Sequence, residues 1–258
     1  MPAAPYPTFD NFSLQDENYI TSEIVYRTIP NRELESQKVS RRPGTKLISS
    51  EFAERSVSIR GSIIGTSPSN LQTLIDAIHT NITRKESVVM YTDSDRYGTA
   101  TVRSVAIGDP HYSQDYVPME MELVMNDPFF YGLQTSVSLS IPAGTTTYNS
   151  SITISGSVFA EPTFVYNSPA GGGVTTTSGI KVTYGPTAEY VTWSGTGLAQ
   201  SSSVTFDYDS HRILEGTTEA ALEGVFSRWE PGAQSFTVTF SGTANGGTLG
   251  ISYPPRYL

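Results

Sequence analysis

The 258-residue chain contains no cysteine. Disulfides, thiolate metal sites and cysteine nucleophiles are therefore excluded. Histidine is nearly as scarce, with only His79, His111 and His211. His79 borders an apolar helical stripe, which suits a partly buried structural ring, and His111 sits in the turn Asp109-Pro110-His111. No G-x-S-x-G elbow accompanies the abundant serines. Long apolar runs are missing too: none approaches the roughly 18 residues of a membrane span. Met1 to Pro7 has neither the basic start nor the apolar run of a signal peptide. These absences point to a chain made in a cytoplasm that stays soluble and inserts into no membrane. Cations are in the minority, 16 Lys/Arg against 25 Asp/Glu, for a net charge of −9. That balance opposes nucleic-acid affinity, which rests on cations displacing the counterions of phosphates.

What charge there is lies mostly in the first half. Residues 1–133 hold 12 Lys/Arg and 17 Asp/Glu, whereas residues 134–258 hold 4 and 8. The second half is rich in Ser, Thr and Gly, so hydroxyls rather than ions solubilise it. The length suffices for two ordinary domains, each burying its own core.

The first half mixes strands with one helix. Val57, Ile59, Gly61 and Ile63 alternate with Ser58, Arg60 and Ser62, the period-2 pattern of a half-buried strand. Ser67-Pro68 then offers an N-cap followed by a proline at the first helical position. Leu71, Leu74, Ile75, Ile78 and Ile82 follow as one apolar stripe, predicting a helix over 68–82. So short a helix is marginal alone and must lie on a sheet. Burial of each stripe residue contributes about 1.5–3 kcal/mol before entropy is subtracted. Strands are expected at Val88 to Tyr91, at 99–107, and where Met119, Met121, Leu123 and Met125 alternate with Glu120 and Glu122. The polar stretch Asn31 to Lys46 reads as a long loop or an extended hairpin arm. Its Arg41, Arg42, Pro43, Gly44 and Lys46 are candidates for reaching a neighbouring subunit. Asn126-Asp127-Pro128 ends the first half, and Phe129, Phe130 and Tyr131 are candidates for a wedge between domains or for an ordinary core turn.

The second half is almost purely β. Val137/Leu139/Ile141, Ile152/Ile154, Ile180/Val182/Tyr184, Val191/Trp193, Val204/Phe206/Tyr208, Phe236/Val238/Phe240 and Leu249/Ile251/Tyr253 each alternate with polar neighbours. Turn signals include Gly171-Gly172-Gly173 and Asn245-Gly246, the latter a hairpin signature. About eight short strands then predict a sandwich or jelly roll. Thr217 to Phe226 is expected to be a short helical crossing.

Motifs for chemistry are thin. If Asp207-Tyr208-Asp209-Ser210-His211 were one strand, Asp207, Asp209 and His211 would share a face and suit a divalent ion. A strand end running into an Asp-Ser turn is the simpler expectation. Asp93-Ser94-Asp95 with Gly98 lacks the oxygen ligand and the bidentate glutamate of a calcium loop at Tyr97 and Ser104. Glu120 and Glu122 share a solvated strand face, and Glu215, Glu219 and Glu223 follow a helical or loop spacing, so no glycosidase pair stands out. Trp193 is in phase with Val191 and expected in the core, and Trp229 precedes the turn Glu230-Pro231-Gly232. Nothing nominates a catalytic residue, a metal or a cofactor. A non-enzymatic chain is expected.

Several segments, taken in order, resemble the distal tail proteins of long-tailed, non-contractile bacteriophages. They are Phe9-Asp10-Asn11-Phe12-Ser13-Leu14, the strand and helix from Ser56 to Ile82, and Asn126-Asp127-Pro128-Phe129-Phe130-Tyr131. The closing pattern is Phe226-Ser227-Arg228-Trp229-Glu230-Pro231-Gly232, Phe236-Thr237-Val238 and Ile251-Ser252-Tyr253-Pro254-Pro255-Arg256-Tyr257-Leu258. The resemblance implies a mainly β chain with one helix. A tail-tube-like, ring-forming β-sandwich domain would span 1–133, and a galectin-like or jelly-roll β-sandwich 134–258. It implies a structural virion protein: a homohexameric ring, or a double ring in isolation, joining the tail tube protein to the tail tip hub and receptor-binding apparatus. DNA would pass through its channel without specific binding, and the ring would be assembled in the host cytoplasm. Sugar-binding members carry an inserted module for which this sequence has no room. The competing expectation is a carbohydrate-binding β-sandwich module.

Overall fold

The computed structural model describes residues 7–26, 28–38, 45–92, 95–108, 115–169 and 178–258, without the side chains of 45–47, 49, 50, 243 and 245. Arg41, Arg42, Pro43 and Gly44 lie outside the described residues, as do Asp93-Ser94, Asp109-Pro110-His111 and Gly171-Gly172-Gly173. The chain splits into two compact units, Met1–Tyr131 with Leu258, and Gly132–Tyr257.

The first unit contains β1 (Thr8–Phe9), β2 (Phe12–Ser13), β3 (Tyr19–Val25), β4 (Arg32–Lys38), β5 (Thr45–Phe52) and β6 (Arg55–Ile64). Helix α1 (Pro68–Ile78) follows, then β7 (Val88–Tyr91), β8 (Tyr97–Ile107), β9 (Tyr116–Met125) and β10 (Phe130–Tyr131). Seven strands run in the order β2-β1-β7-β8-β9-β6-β3, and β10 pairs with β8. The alternation read from the sequence orients the central pair: Val57, Ile59 and Ile63 face Leu123, Met121 and Val117, all buried. Gly61 sits in that inward row because a Cβ there would lie 2.4 Å from the Ile20 carbonyl oxygen of β3.

Helix α1 starts as its sequence requires. Ser67 is the N-cap, its hydroxyl accepting from the Asn70 amide at 3.2 Å, and Pro68 opens the first turn. Leu71 and Ile78 are buried, and the Tyr19 hydroxyl donates to the Leu74 carbonyl at 2.9 Å. The helix is shorter than the stripe predicts, since His79–Thr83 widens into a π turn. There the Thr80 hydroxyl and the Asn81 amide donate to the carbonyls of Asp76 and Ala77, competing with the backbone ladder. Ile82 still reaches the core.

The second unit holds β11 (Thr135–Ile154), β12 (Thr163–Asn167), β13 (Gly179–Tyr184), β14 (Tyr190–Ser194) and β15 (Ser203–Asp207). It continues with β16 (Arg212–Glu215), β17 (Thr218–Ala220), β18 (Glu223–Gly224), β19 (Gly232–Tyr253) and β20 (Arg256–Tyr257). The strand order is β17-β16-β15-β12-β19-β13-β14-β18, with β11 along the remaining edge of β19. One half of β19 pairs with β13 and the other with β12, so the strand passes from one layer to the other. Across the layers Phe164 meets Phe236 with ring centroids 5.4 Å apart, and Tyr166 meets Phe240 at 5.2 Å.

Two expectations fail here, both through long-range pairing. Asn245-Gly246 does not turn a hairpin but lies inside the 22-residue β19. Gly246 and Gly247 use their positive φ values, 92° and 129°, to kink that strand beside the register shifts of β11. Two strands of 20 and 22 residues thus replace several of the short ones expected. Thr217 to Phe226 is not helical either. Ala220 pairs with Ile213 and Gly224 with Val191, so the segment is stitched onto two sheet edges, and pairing overrides the helix-forming Glu and Ala.

Candidate assembly surfaces

Strands β4 and β5 form a ribbon paired with neither main sheet. Its register runs from Arg32 opposite Phe52 to Lys38 opposite Thr45, with a bulge between Glu35 and Ser36. Every residue of β4 is exposed, and at about 3.3 Å per residue its seven residues extend roughly 23 Å. The root is fixed by aromatic contacts. The Arg32 guanidinium stacks 4.7 Å over the Phe52 ring, which meets Phe129 edge-on at 5.5 Å. The polar stretch expected as a loop or hairpin arm is thus a hairpin at the backbone level, extending to Phe52. Lys46 stands opposite Gln37 on β5.

The aromatic run is ordered by its own unit. Phe129 packs on Phe52, Phe130 meets Tyr26 edge-on at 5.7 Å, and the Tyr131 ring lies 6.1 Å from Tyr97. Asp127 accepts from the Phe129 amide at 3.3 Å and from the Tyr131 hydroxyl.

Arg55 was not foreseen. It occupies the inward phase of Val57, Ile59 and Ile63 and is 2% exposed, stacked 4.7 Å over Phe130. Its Nη1 donates to the Tyr26 carbonyl at 3.1 Å, whereas Nε and Nη2 find no acceptor among the described residues. Burial pulls its pKa below the ordinary arginine value. Strand parity was the signal: an arginine two residues before an alternating apolar row must point inward.

On the opposite, solvated face, Glu23 and Glu120 flank Arg60 at 3.4 and 2.9 Å, and Glu122 stands beside them on β9. In the second unit both tryptophans are fully buried, so neither offers a ring face to a sugar. Trp229 packs between Tyr184 and Phe164 at 4.8 and 5.1 Å. Asp207, Asp209 and His211 do not share a strand face. β15 ends at Asp207, which accepts from the Ser210 amide at 3.2 Å and from its hydroxyl, and His211 has φ +54°. Asp209 instead accepts from Arg256 at 2.8 Å. Glu215, Glu219 and Glu223 stand on three separate strands.

This architecture has a counterpart. Over 98% of both chains the fold matches the Dit protein of phage SPP1, a hub adsorption apparatus of phages infecting Gram-positive bacteria. The TM-score is 0.73 at 12% identity. The chain has the Dit fold. A component of the activated phage p2 baseplate matches over 93% of this chain and 92% of its own, at TM-score 0.44 and 8% identity. The sequence matches no family profile and no curated protein.

The resemblance read from the sequence is thereby borne out at the level of the fold, and the segments that carried it prove to be structural. Phe9 and Leu14 are buried in the first unit, and Trp229 sits in the core of the second. Arg256 of the closing pattern is buried and paired.

Proposed function

We propose that the chain is a non-enzymatic structural protein of a phage tail tip. Six copies form a ring joining the tail tube protein to the tip hub and receptor-binding apparatus. The ring is assembled in the host cytoplasm and carried in the virion. The observation behind this reading is the end-to-end match in fold to SPP1 Dit. The β4–β5 ribbon supports it independently. An isolated two-stranded hairpin is at best marginally stable in water, so a ribbon with an entirely exposed strand calls for a partner. A ribbon docking on a different surface of the next copy is a heterologous contact, and such contacts form a ring where the rotation between copies closes. In that ring the solvated face with Glu23, Glu120 and Glu122 faces the channel, where acids keep DNA from adhering.

Native mass spectrometry of the purified chain, with negative-stain images of the same sample, tests the ring. Six or twelve copies and annular particles are expected. A strict monomer at micromolar concentration overturns the ring.

A further inference from the structure

The strand orders of the two main sheets end at β2 and β3 and at β17 and β18. Each of these ends is guarded against pairing with another chain. β2 is two residues long, and β3, β17 and β18 carry Glu23, Glu219 and Glu223. β11 has no such guard. It runs along β19 from Thr135 to Ile154, and its outer edge pairs with no strand among the described residues. No charged residue occurs anywhere in it. Pro142 and the register shifts on either side of Thr145 interrupt the strand, which leaves Thr135 to Ile141 as a regular stretch.

The core stops short along this stretch. Leu249 and Ile251 of β19 are 1% exposed, whereas Leu139 and Val137 opposite them are only half-buried, though packed on the same core. Ser136, Ser138 and Ser140 are exposed on the other face. A strand added outside β11 would cover the apolar pair and take up the backbone groups of the open edge. The stretch is its own complement. Laid antiparallel on a second copy about Ser138, it sets Val137 against Leu139, Thr135 against Ile141 and Ser136 against Ser140. Every pair then joins like faces, and no charge on the strand opposes the approach. We infer that β11 pairs with the β11 of a second copy through Thr135 to Ile141, on a two-fold axis at Ser138. The contact is isologous and closes on two copies, so it does not depend on the ring.

The chain's lack of cysteine gives a clean test. Ser138→Cys in the full chain sets two thiols face to face across the axis. Ser151→Cys, exposed on the same strand but remote from the axis, serves as control for random collisions. On oxidation, Ser138→Cys should yield a reducible covalent dimer on a denaturing gel, well above the control. Equal yields overturn the contact. Rings without that dimer overturn this contact and leave the ring standing, and the dimer without rings does the reverse. Separately, Ser138→Lys should weaken pairing about tenfold in sedimentation velocity, and an equimolar mixture with Ser138→Glu should restore it. No recovery in the mixture overturns the axis at Ser138.

Discussion

Arg256 donates from Nη1 to Glu161 Oε2 at 2.6 Å with its side chain 8% exposed, so a buried charge meets a well-covered carboxylate. The second acceptor, Asp209, is 69% exposed at the far side of the same guanidinium. Arg228 approaches Glu161 at 3.9 Å, and both arginines lie over the Phe159 ring, at 4.5 and 5.6 Å. The closing segment of the second unit is tied to β16's approach turn and to the loop before β12 through this one side chain.

Glu161→Ala removes the better covered of the two carboxylates on the buried Arg256 guanidinium, and should destabilise the second unit by about 3 kcal/mol. Asp209→Asn removes a solvent-screened partner and should cost under about 1 kcal/mol. Urea titrations of the full chain, followed by tryptophan fluorescence, compare the two. Equal losses would mean that burial does not decide between the two acceptors.

The start of α1 is held by two bonds: Ser67 accepts from the Asn70 amide, and the Asn70 side chain accepts from the Thr66 amide at 3.0 Å. Ser67→Ala should therefore lower stability by about 1 kcal/mol, and Ser67→Asp should largely preserve it. Thermal unfolding read by circular dichroism distinguishes them.

Local signals carried much of the fold. The α1 stripe and its Ser67-Pro68 start are set by contacts within a few residues, so periodicity suffices to place them. The inward rows of β6 and β9 are equally plain, because Val57, Ile59 and Ile63 mirror Leu123, Met121 and Val117. What stayed hidden depends on partners far along the chain. Asn245-Gly246 has the chemistry of a hairpin turn, yet β11, β12 and β13 hold β19 extended through it. Glu219, Ala220 and Ala221 favour a helix locally, and the edges offered by Ile213 and Val191 draw their segment into strands. The ribbon was legible as a polar stretch with no core pattern.

Gly61→Ala tests a close approach rather than backbone freedom. The new methyl group would stand 2.4 Å from the Ile20 carbonyl oxygen and 3.2 Å from the Thr21 Cα, all backbone with little room to yield. β3 has to move away from β6 next to its own bulge between Thr21 and Glu23. A loss of about 1–3 kcal/mol is expected, with faster amide exchange confined to β3 and the start of β6. Unchanged protection in β3 would show that the strand accommodates the methyl group.

Alkaline pH should unfold the chain through its buried phenols. Burial, with Asp16 nearby, pushes the Tyr19 hydroxyl from 10.0 up to about 12. Burial also raises Tyr166, Tyr184 and Tyr208. A raised folded value means that the native state holds the proton more tightly than the unfolded chain. The resulting stability is complete below the unfolded value near 10 and is lost as pH climbs toward 12. Urea midpoints should therefore stay level from about pH 8 to 9.5 and fall steeply beyond it. Tyr19→Phe has no proton to lose and removes the hydroxyl's bond to the Leu74 carbonyl. It should start about 1 kcal/mol less stable at pH 8 and decline less steeply above pH 10. An alkaline slope identical to wild type would remove Tyr19 from the set of groups that set the limit.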